Sequence, residues 1–440
     1  MAHTIGLVSL GCNKNRVDSE QALGLLRDRG WTITADPSEA EVLMVNTCGF
    51  IEAAKSESID TILELAAYKK TGRCRLLAVT GCLAQRYGQE LLDAMPEIDL
   101  LFGVNQYAHL ADTLTDALDG RPAPRISCAD PMTFYEQDRV LTTPSWTAYT
   151  RIGEGCSNRC TFCAIPLIRG DYRSRSEEAI LGEVRSLAAR GVREHILVAQ
   201  DTTRWGTDGG GHSKLPDLMR KCAAVEGVDW LRVLYCYPDE TDERLLDVIA
   251  ETPNICTYLD LPVQHINDTI LRRMRRRGDS GDIRRCLRLA RERGLTLRTS
   301  LIVGFPGETE AQFEELLAFV EEARFDRMGA FAYSPEEDTP AARMPDQIDE
   351  EVKQERLDRL MTLQARISLE RNRARVGETA RVLVTAADGG RALGRSEREA
   401  PETDGEIRLT LRPGRQVRPG EFADVRITGA ETYDLMGEIV

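Results

Sequence analysis

The sequence predicts an α/β protein in three parts: a small parallel α/β domain, a central partial (β/α)6 barrel and a small all-β module. Three observations carry this. Short β-rich runs alternate with helix-like stretches as far as about residue 375. A proline-marked stretch interrupts the alternation once, and after residue 376 only strand-like runs with glycine turns remain. At 440 residues and 42% hydrophobic content, the chain is long enough to bury two or three separate cores.

In chain order, strand runs at 5–9, 42–46, 76–80 and 98–102, spaced by helical stretches, define a first domain over 1–125. Pro122, Pro124, Pro131 and Pro144 mark a break that runs to about Ser145, with the linker taken as 126–145. Six more strand runs follow at 148–152, 195–200, 231–236, 256–261, 297–303 and 328–333, alternating with helical stretches such as 177–190 and 310–323. Six βα units are fewer than the eight of a closed barrel, so an open one is expected. Val352, Leu357, Leu360, Leu363 and Ile367 recur at helical spacing and make 350–375 a connecting helix that ends the second domain, 146–375. Runs at 380–385, 406–411 and 423–428, broken by Gly389-Gly390, Asp404-Gly405 and Pro419-Gly420, form the β module 376–440.

Charge and cysteine usage narrow the function. Lys plus Arg number 57 against 71 Asp plus Glu, a net charge of -14. That balance disfavours bulk binding to nucleic acid or anionic membrane and favours a basic partner. The N-terminus reads as neither a signal peptide nor a membrane span, so a cytoplasmic protein is expected. Twelve cysteines without an export signal argue against a disulfide framework and leave metal binding or ordinary core thiols, between which spacing decides.

Cys156, Cys160 and Cys163 stand at CxxxCxxC spacing just after the first barrel strand, at the carboxyl edge where barrel ligand sites lie. Three thiolates on a four-iron cluster leave one iron open, whereas structural zinc closes with four ligands. Buried free thiols, and zinc completed by a remote His265, stay as alternatives. Cys12, Cys48 and Cys82 each end a strand run and precede a helical stretch. If those strands are parallel, the three meet at one edge, where helix N-termini favour thiolates.

The loop Glu154-Gly155-Cys156-Ser157-Asn158-Arg159-Cys160-Thr161-Phe162-Cys163 resembles the cluster loop of the radical S-adenosylmethionine (SAM) superfamily, with the aromatic Phe162 before the third cysteine. The resemblance implies that the open iron chelates SAM, whose reductive cleavage gives a 5'-deoxyadenosyl radical. Ile302-Val303-Gly304-Phe305-Pro306-Gly307-Glu308 is similar to the family's strand-then-glycine element beside the adenine. That implies SAM contacts for Ile302 and for Gly304, whose missing side chain admits the ligand. Gln264 stands where a polar group would reach the ribose. A simple turn is the other reading of Gly304 and Gly307. Where many relatives carry Gly-Gly-Glu for the SAM amino group, this chain has Ala199-Gln200-Asp201-Thr202, so Gln200 or Asp201 would take that place.

The segments around Cys12 (Gly11-Cys12-Asn13-Lys14-Asn15-Arg16-Val17-Asp18-Ser19-Glu20), Cys48 (Asn46-Thr47-Cys48-Gly49) and Cys82 (Gly81-Cys82-Leu83-Ala84-Gln85-Arg86) look like the N-terminal domain of the methylthiotransferases, and the β module resembles a TRAM domain. The resemblance implies two four-iron four-sulfur clusters, the second on Cys12, Cys48 and Cys82 carrying the sulfur to be inserted, and two SAM molecules per turnover. Cys74, Cys128, Cys222, Cys236, Cys256 and Cys286 are expected to be structural thiols.

One branch of that family modifies an isopentenyladenosine in transfer RNA, the other an aspartate of ribosomal protein S-twelve. The segment 11–20, Gln200-Asp201-Thr202-Thr203, Leu234-Tyr235-Cys236-Tyr237-Pro238 and Phe331-Ala332-Tyr333-Ser334-Pro335-Glu336 look like the protein-modifying branch. From Arg373 onward eleven Arg and no Lys face twelve Asp plus Glu, whereas a module gripping RNA should be basic. The expected partners are therefore S-twelve, free or in the small subunit, and an electron donor such as flavodoxin, with no membrane and no tRNA, for a monomeric enzyme. Methylthiolation of tRNA, and a non-catalytic RNA-binding protein with structural metal, are the competing readings.

Overall fold

The aliphatic runs of the first third form six parallel strands: β1 (Thr4–Ser9), β2 (Thr32–Ile33), β3 (Val42–Thr47), β4 (Leu76–Gly81), β5 (Leu100–Phe102) and β6 (Ile126–Ser127). Their order is β2-β1-β3-β4-β5-β6. All six residues of β3 are buried, because helices cover both faces of the sheet. Val42 and Met44 pack with Leu23, Leu26 and Leu110 on one face, Leu43 and Val45 with Ile62, Leu65 and Leu91 on the other. This computed structural model describes residues 3–128, 134–136, 138–411 and 414–440.

The stretch expected to be a linker is partly built into this domain. Ile126–Ser127 pairs with β5 as the edge strand. The hydroxyl of Tyr135 accepts from the N–H groups of Tyr107 and Ala108, both at 2.9 Å, and donates to the Asn105 carbonyl at 2.8 Å. Pro131 and the rest of 129–133, with residue 137, lie outside the described residues.

The second domain follows the expected strand runs closely. β7 (Thr147–Arg151) leads into a small antiparallel hairpin, β8 (Gly153–Glu154) and β9 (Arg173–Ser174), whose long loop carries the CxxxCxxC segment. Then come β10 (Glu194–Val198), β11 (Trp230–Val233), β12 (Tyr258–Asp260), β13 (Thr296–Val303) and β14 (Arg327–Ala332). Two parallel three-stranded sheets, β11-β10-β7 and β12-β13-β14, join through one bridge between Leu231 and Ile255. β7 and β14 are the outer edges, so the barrel is open as expected. The long helix Glu350–Arg373 packs Leu360 and Ile367 into the helix-side core, and Gln364 Nε2 donates to the Phe325 carbonyl at 2.9 Å.

The C-terminal module is a closed five-stranded barrel of β15 (Thr379–Asp388), β16 (Arg391–Ser396), β17 (Ile407–Thr410), β18 (Phe422–Ala430) and β19 (Leu435–Ile439). β16 and β19 had no clear sequence signal: Arg-Ala-Leu-Gly-Arg-Ser contains no β-branched or aromatic residue.

This module also fills the concave side of the open barrel. Leu197 on β10 faces the helices, while its neighbours Ile196 and Val198 face inward and pack with Tyr149, Tyr258, Leu383 and Ala400. Arg395 from the module pairs with the buried Glu194 at 2.6 Å. Arg232 donates to the carbonyls of Glu397 and Glu399 at 2.9 and 3.1 Å. Val17, from the first domain, joins the same cluster, so all three parts share one core. Among the described residues no helix is long and apolar enough to cross a membrane.

Candidate active site

β1, β3 and β4 are consecutive, parallel neighbours, so the loops that leave their carboxyl ends lie side by side. Those loops hold Cys12, Cys48 and Cys82. Cys12 is the N-cap of helix Asn13–Asp28, and Cys82 opens helix Cys82–Ala94. The loops touch. A Cβ added to Gly11, at φ +84°, would sit 3.1 Å from Cys48 Sγ. One added to Gly81, at φ +97°, would sit 2.2 Å from Asn46 Oδ1 and 2.5 Å from the Thr47 carbonyl, so only glycine permits this approach. Asn15 staples all three, donating to the Leu10 carbonyl at 3.1 Å and the Thr47 carbonyl at 2.9 Å while its Oδ1 accepts from the Cys82 thiol at 3.4 Å.

The second triad needs no such assembly. Cys156 and Cys160 are buried and Cys163 half-buried within one loop. That loop is tied down from three directions: the Cys156 N–H donates to the Gly170 carbonyl at 3.0 Å, the Thr161 N–H to the Met274 carbonyl at 3.0 Å, and Asn158 Nδ2 to Asp201 Oδ2 at 2.8 Å.

Both triads fit cluster ligation by their chemistry. Burial pushes the Cys82 thiol up to about 12 and Cys156 up to about 11, and raises Cys48 and Cys163 as well. Thiols this reluctant to ionise in an apolar site become thiolates when metal replaces their protons. Each triad also has one guanidinium against a sulfur: the buried Arg169 Nη2 is 3.6 Å from Cys82 Sγ, and the half-buried Arg276 Nη1 is 3.8 Å from Cys160 Sγ. Arg276 is held over the Tyr237 ring, 4.3 Å from its centroid. Among the described residues no group of three His, Cys, Asp or Glu side chains is placed to hold a single metal ion.

Spacing gave no hint of what joins the triads. Asp18 from the first domain and Arg151, Glu154 and Arg169 from the second are each at most 1% exposed. Arg169 reaches Asp18 at 2.8 Å and both oxygens of Glu154 at 3.1 Å, and Arg151 reaches Glu154 at 2.6 Å and also contacts Asp18. Burial works against ionising Glu154, yet Arg169 and Arg151 hold its carboxyl at about 2. Glu154 is two residues before Cys156, and Arg169 touches Cys82, so four alternating charges link the two triads. Nearby, Ser19 and Glu20 are also buried, Ser19 on Ser9 and Asn46, Glu20 on Arg139 and Thr142. The polar segment 15–20 is thus a buried interdomain contact.

The expected SAM contacts cluster in part. Phe162 and Ile302 lie against one apolar group with Ile270, Met274, Phe305 and Tyr333. Gln264, at φ +71°, bridges to β13 beside Leu301. Gln200 donates to Glu154 at 2.9 Å, leaving its Oε1 enclosed and unpartnered, as is Asn158 Oδ1. Two free acceptors beside the cluster loop fit an ammonium. Asp201 is fully enclosed and engaged by Asn158, Thr203 and Arg277, which ties it to the loop. Gly304 differs from expectation: the space in front of it is filled by Lys353, whose Cγ would lie 2.3 Å from an added Cβ, and its φ is +70°. Helix packing and a left-handed turn require this glycine. His265 is buried, its Nδ1 accepting from the Asn267 N–H at 3.0 Å.

Comparison with known proteins agrees with this three-part reading. Residues 4–103 match the family model described as "Uncharacterized protein family UPF0004", 150–320 the radical SAM superfamily and 376–440 the TRAM domain. The chain is 49% identical over 443 residues to the ribosomal protein uS12 methylthiotransferase RimO of Desulforamulus reducens, covering 99% of each. It is 48% identical to that of Geobacter sulfurreducens, covering 99% of this chain and 98% of that one. Among solved structures, the radical SAM methyltransferase TsrM from Kitasatospora setae superposes with a TM-score of 0.57 at 15% identity, over 88% of this chain and 79% of that one. The cobalamin-dependent SAM radical enzyme OxsB gives 0.52 at 13%, over 82% and 56%. At such identities the structural likeness concerns the fold alone. The sequence likeness is of another order, and with it the chain belongs to the RimO methylthiotransferase family of radical SAM enzymes, which carry SAM and two four-iron four-sulfur clusters.

Proposed function

We propose that this enzyme converts the β-carbon of an aspartate in ribosomal protein uS12 to its methylthio derivative. The observation that carries the reading is the joint between the triads: a radical-forming loop and a second three-thiol site are tied together by one buried ion network. Full-length relatives named for this activity supply the substrate.

Cys156, Cys160 and Cys163 hold one cluster and Cys12, Cys48 and Cys82 the other. When bound, the clusters and two SAM molecules supply a carbon-centred radical and the methylthio group, chemistry that the protein orients. Radical chemistry is needed because a C–H bond beside a carboxylate is not readily deprotonated. Phe162 and Ile302 pack the apolar side of the SAM pocket. Gln200 and Asn158 would offer acceptors to the SAM ammonium and Gln264 would serve the ribose, while Asp201 and Gly304 fix the backbone around them. Arg276 and Arg169 each donate to a ligand sulfur, an interaction that tunes cluster potential. The interdomain network keeps water out of the joint and would fix the two triads relative to each other.

The domain limits we favour are 1–128 with the edge strand β6, 146–375 for the barrel with its connecting helix, and 376–440. A ribosomal substrate sets the working place in the cytoplasm. A flavodoxin-like reductant, a monomeric enzyme and no tRNA substrate complete the proposal, the near-neutral β module supporting the last point. The test is the mass spectrum of uS12 after anaerobic incubation with reconstituted enzyme, SAM, dithionite and sulfide. A gain of one methylthio group is expected, and modification of bulk tRNA with unmodified uS12 would overturn the assignment.

A further inference from the structure

Lys14 follows Cys12 by two residues and is only 6% exposed. Its ammonium stands 3.2 Å from the centroid of the Tyr235 ring. Among the described residues it makes no ion pair and no hydrogen bond. Tyr235 lies just beyond β11, on the carboxyl edge of the barrel that also carries Gln200, Asp201 and the CxxxCxxC loop. Lys14 therefore bridges from the N-terminal triad to the barrel mouth.

The ring is held firmly under it. Tyr235 has a φ of +64°, a strained value for a bulky residue. Its N–H donates to Asp260 Oδ2 at 2.9 Å, and its carbonyl accepts from the Thr202 N–H at 3.1 Å and hydroxyl at 2.8 Å. Asn13 Nδ2 contacts the Tyr235 hydroxyl at 3.4 Å, and Asn13 Oδ1 is enclosed without a partner.

Lys14 is packed largely away from water with no counter-ion, and the aromatic face offsets only part of the hydration its ammonium loses. An anion would supply the missing counter-charge. We propose that Lys14 binds the carboxylate of the substrate aspartate and so presents its β-carbon between the two triads. This rests on the uS12 reading above.

The test uses full-length enzyme reconstituted anaerobically, with calorimetric titration of a peptide spanning the target aspartate of this organism's uS12 and of its asparagine counterpart. Wild type is expected to bind the aspartate peptide about ten- to a hundred-fold more tightly. Lys14→Gln should bind both peptides alike, and Lys14→Arg should keep part of the preference. An unchanged preference in Lys14→Gln, or no preference in wild type, would overturn the inference. Loss of half the iron and sulfide from Lys14→Gln would also overturn it, assigning the ammonium to the N-terminal cluster. Wild type binding neither peptide would instead count against the uS12 reading itself.

Discussion

The two cysteine triads are assembled by opposite constructions. Cys156, Cys160 and Cys163 sit within one hairpin loop, so their proximity is local and survives most changes elsewhere. Cys12, Cys48 and Cys82 are brought together only because β1, β3 and β4 are neighbours in the sheet and because Gly11 and Gly81 let the loops close up. The loop triad needs anchoring, and Met274, Gly170 and Asp201 supply it. The assembled triad needs packing, and Asn15 is its staple. A local metal loop can be carried by many folds, whereas an assembled one depends on its domain staying folded.

The largest expected effect separates the two outright. Cys156→Ala should reduce 5'-deoxyadenosine formation to background, while Cys12→Ala should retain uncoupled SAM cleavage and give no methylthio product. Chromatography of the nucleoside and mass spectrometry of uS12 read both, and equal loss of both activities in both folded variants would dismiss this division of labour.

Next comes the joint. Arg169→Gln strands Asp18 and Glu154 beside a single remaining arginine, and breaking a buried pair of this kind costs about 3–5 kcal/mol. Denaturant midpoints should fall accordingly, and cleaved SAM per methylthio group should rise as the triads lose register.

Gly81→Ala attacks the assembled triad alone, at about 2–3 kcal/mol for a strained φ with backbone contacts too close to relax. Iron should drop towards half while the radical cluster keeps its paramagnetic signal on reduction. Uniform loss of iron would show that the triads are not independent.

The mildest perturbation is acid. Burial pushes His195 on β10 down to about 4 from the usual 6.5. The unfolded chain therefore binds a proton that the folded one refuses, so stability is fully present above 6.5 and is lost as pH falls from there towards 4. From pH 7 to 5 this amounts to about 2 kcal/mol. His195→Gln should flatten that part of the profile, measured as thermal midpoint against pH, and an unaltered slope would place the acid response elsewhere.

Much of the fold could be read in advance because its strands are apolar runs between turns. Ten of the barrel and first-domain strands lie where β-rich runs stand, from Thr4–Ser9 to Arg327–Ala332. The short pairs Gly153–Glu154 and Arg173–Ser174, and the edge strand Ile126–Ser127, had no such signal, since two residues carry no periodicity. β16 escaped because backbone closure of a small barrel, rather than side-chain propensity, makes it a strand. Arg169, Arg276 and Lys14 were invisible for another reason: an arginine or lysine in a sequence reads as surface, and only burial against a sulfur or a ring reveals otherwise.

The sequence by itself determined that three thiols share one loop, because a CxxxCxxC spacing is short enough for local chain geometry to bring them together. It also determined the succession of parts, through alternation of apolar runs and turns. Only the tertiary structure decided that the strands bearing Cys12, Cys48 and Cys82 are adjacent, that the C-terminal barrel fills the concave side of the open one, and that four buried charges join the triads. Strand order and charge pairing are choices among distant partners, made by the free energy of burying them together and not by any local run of residues.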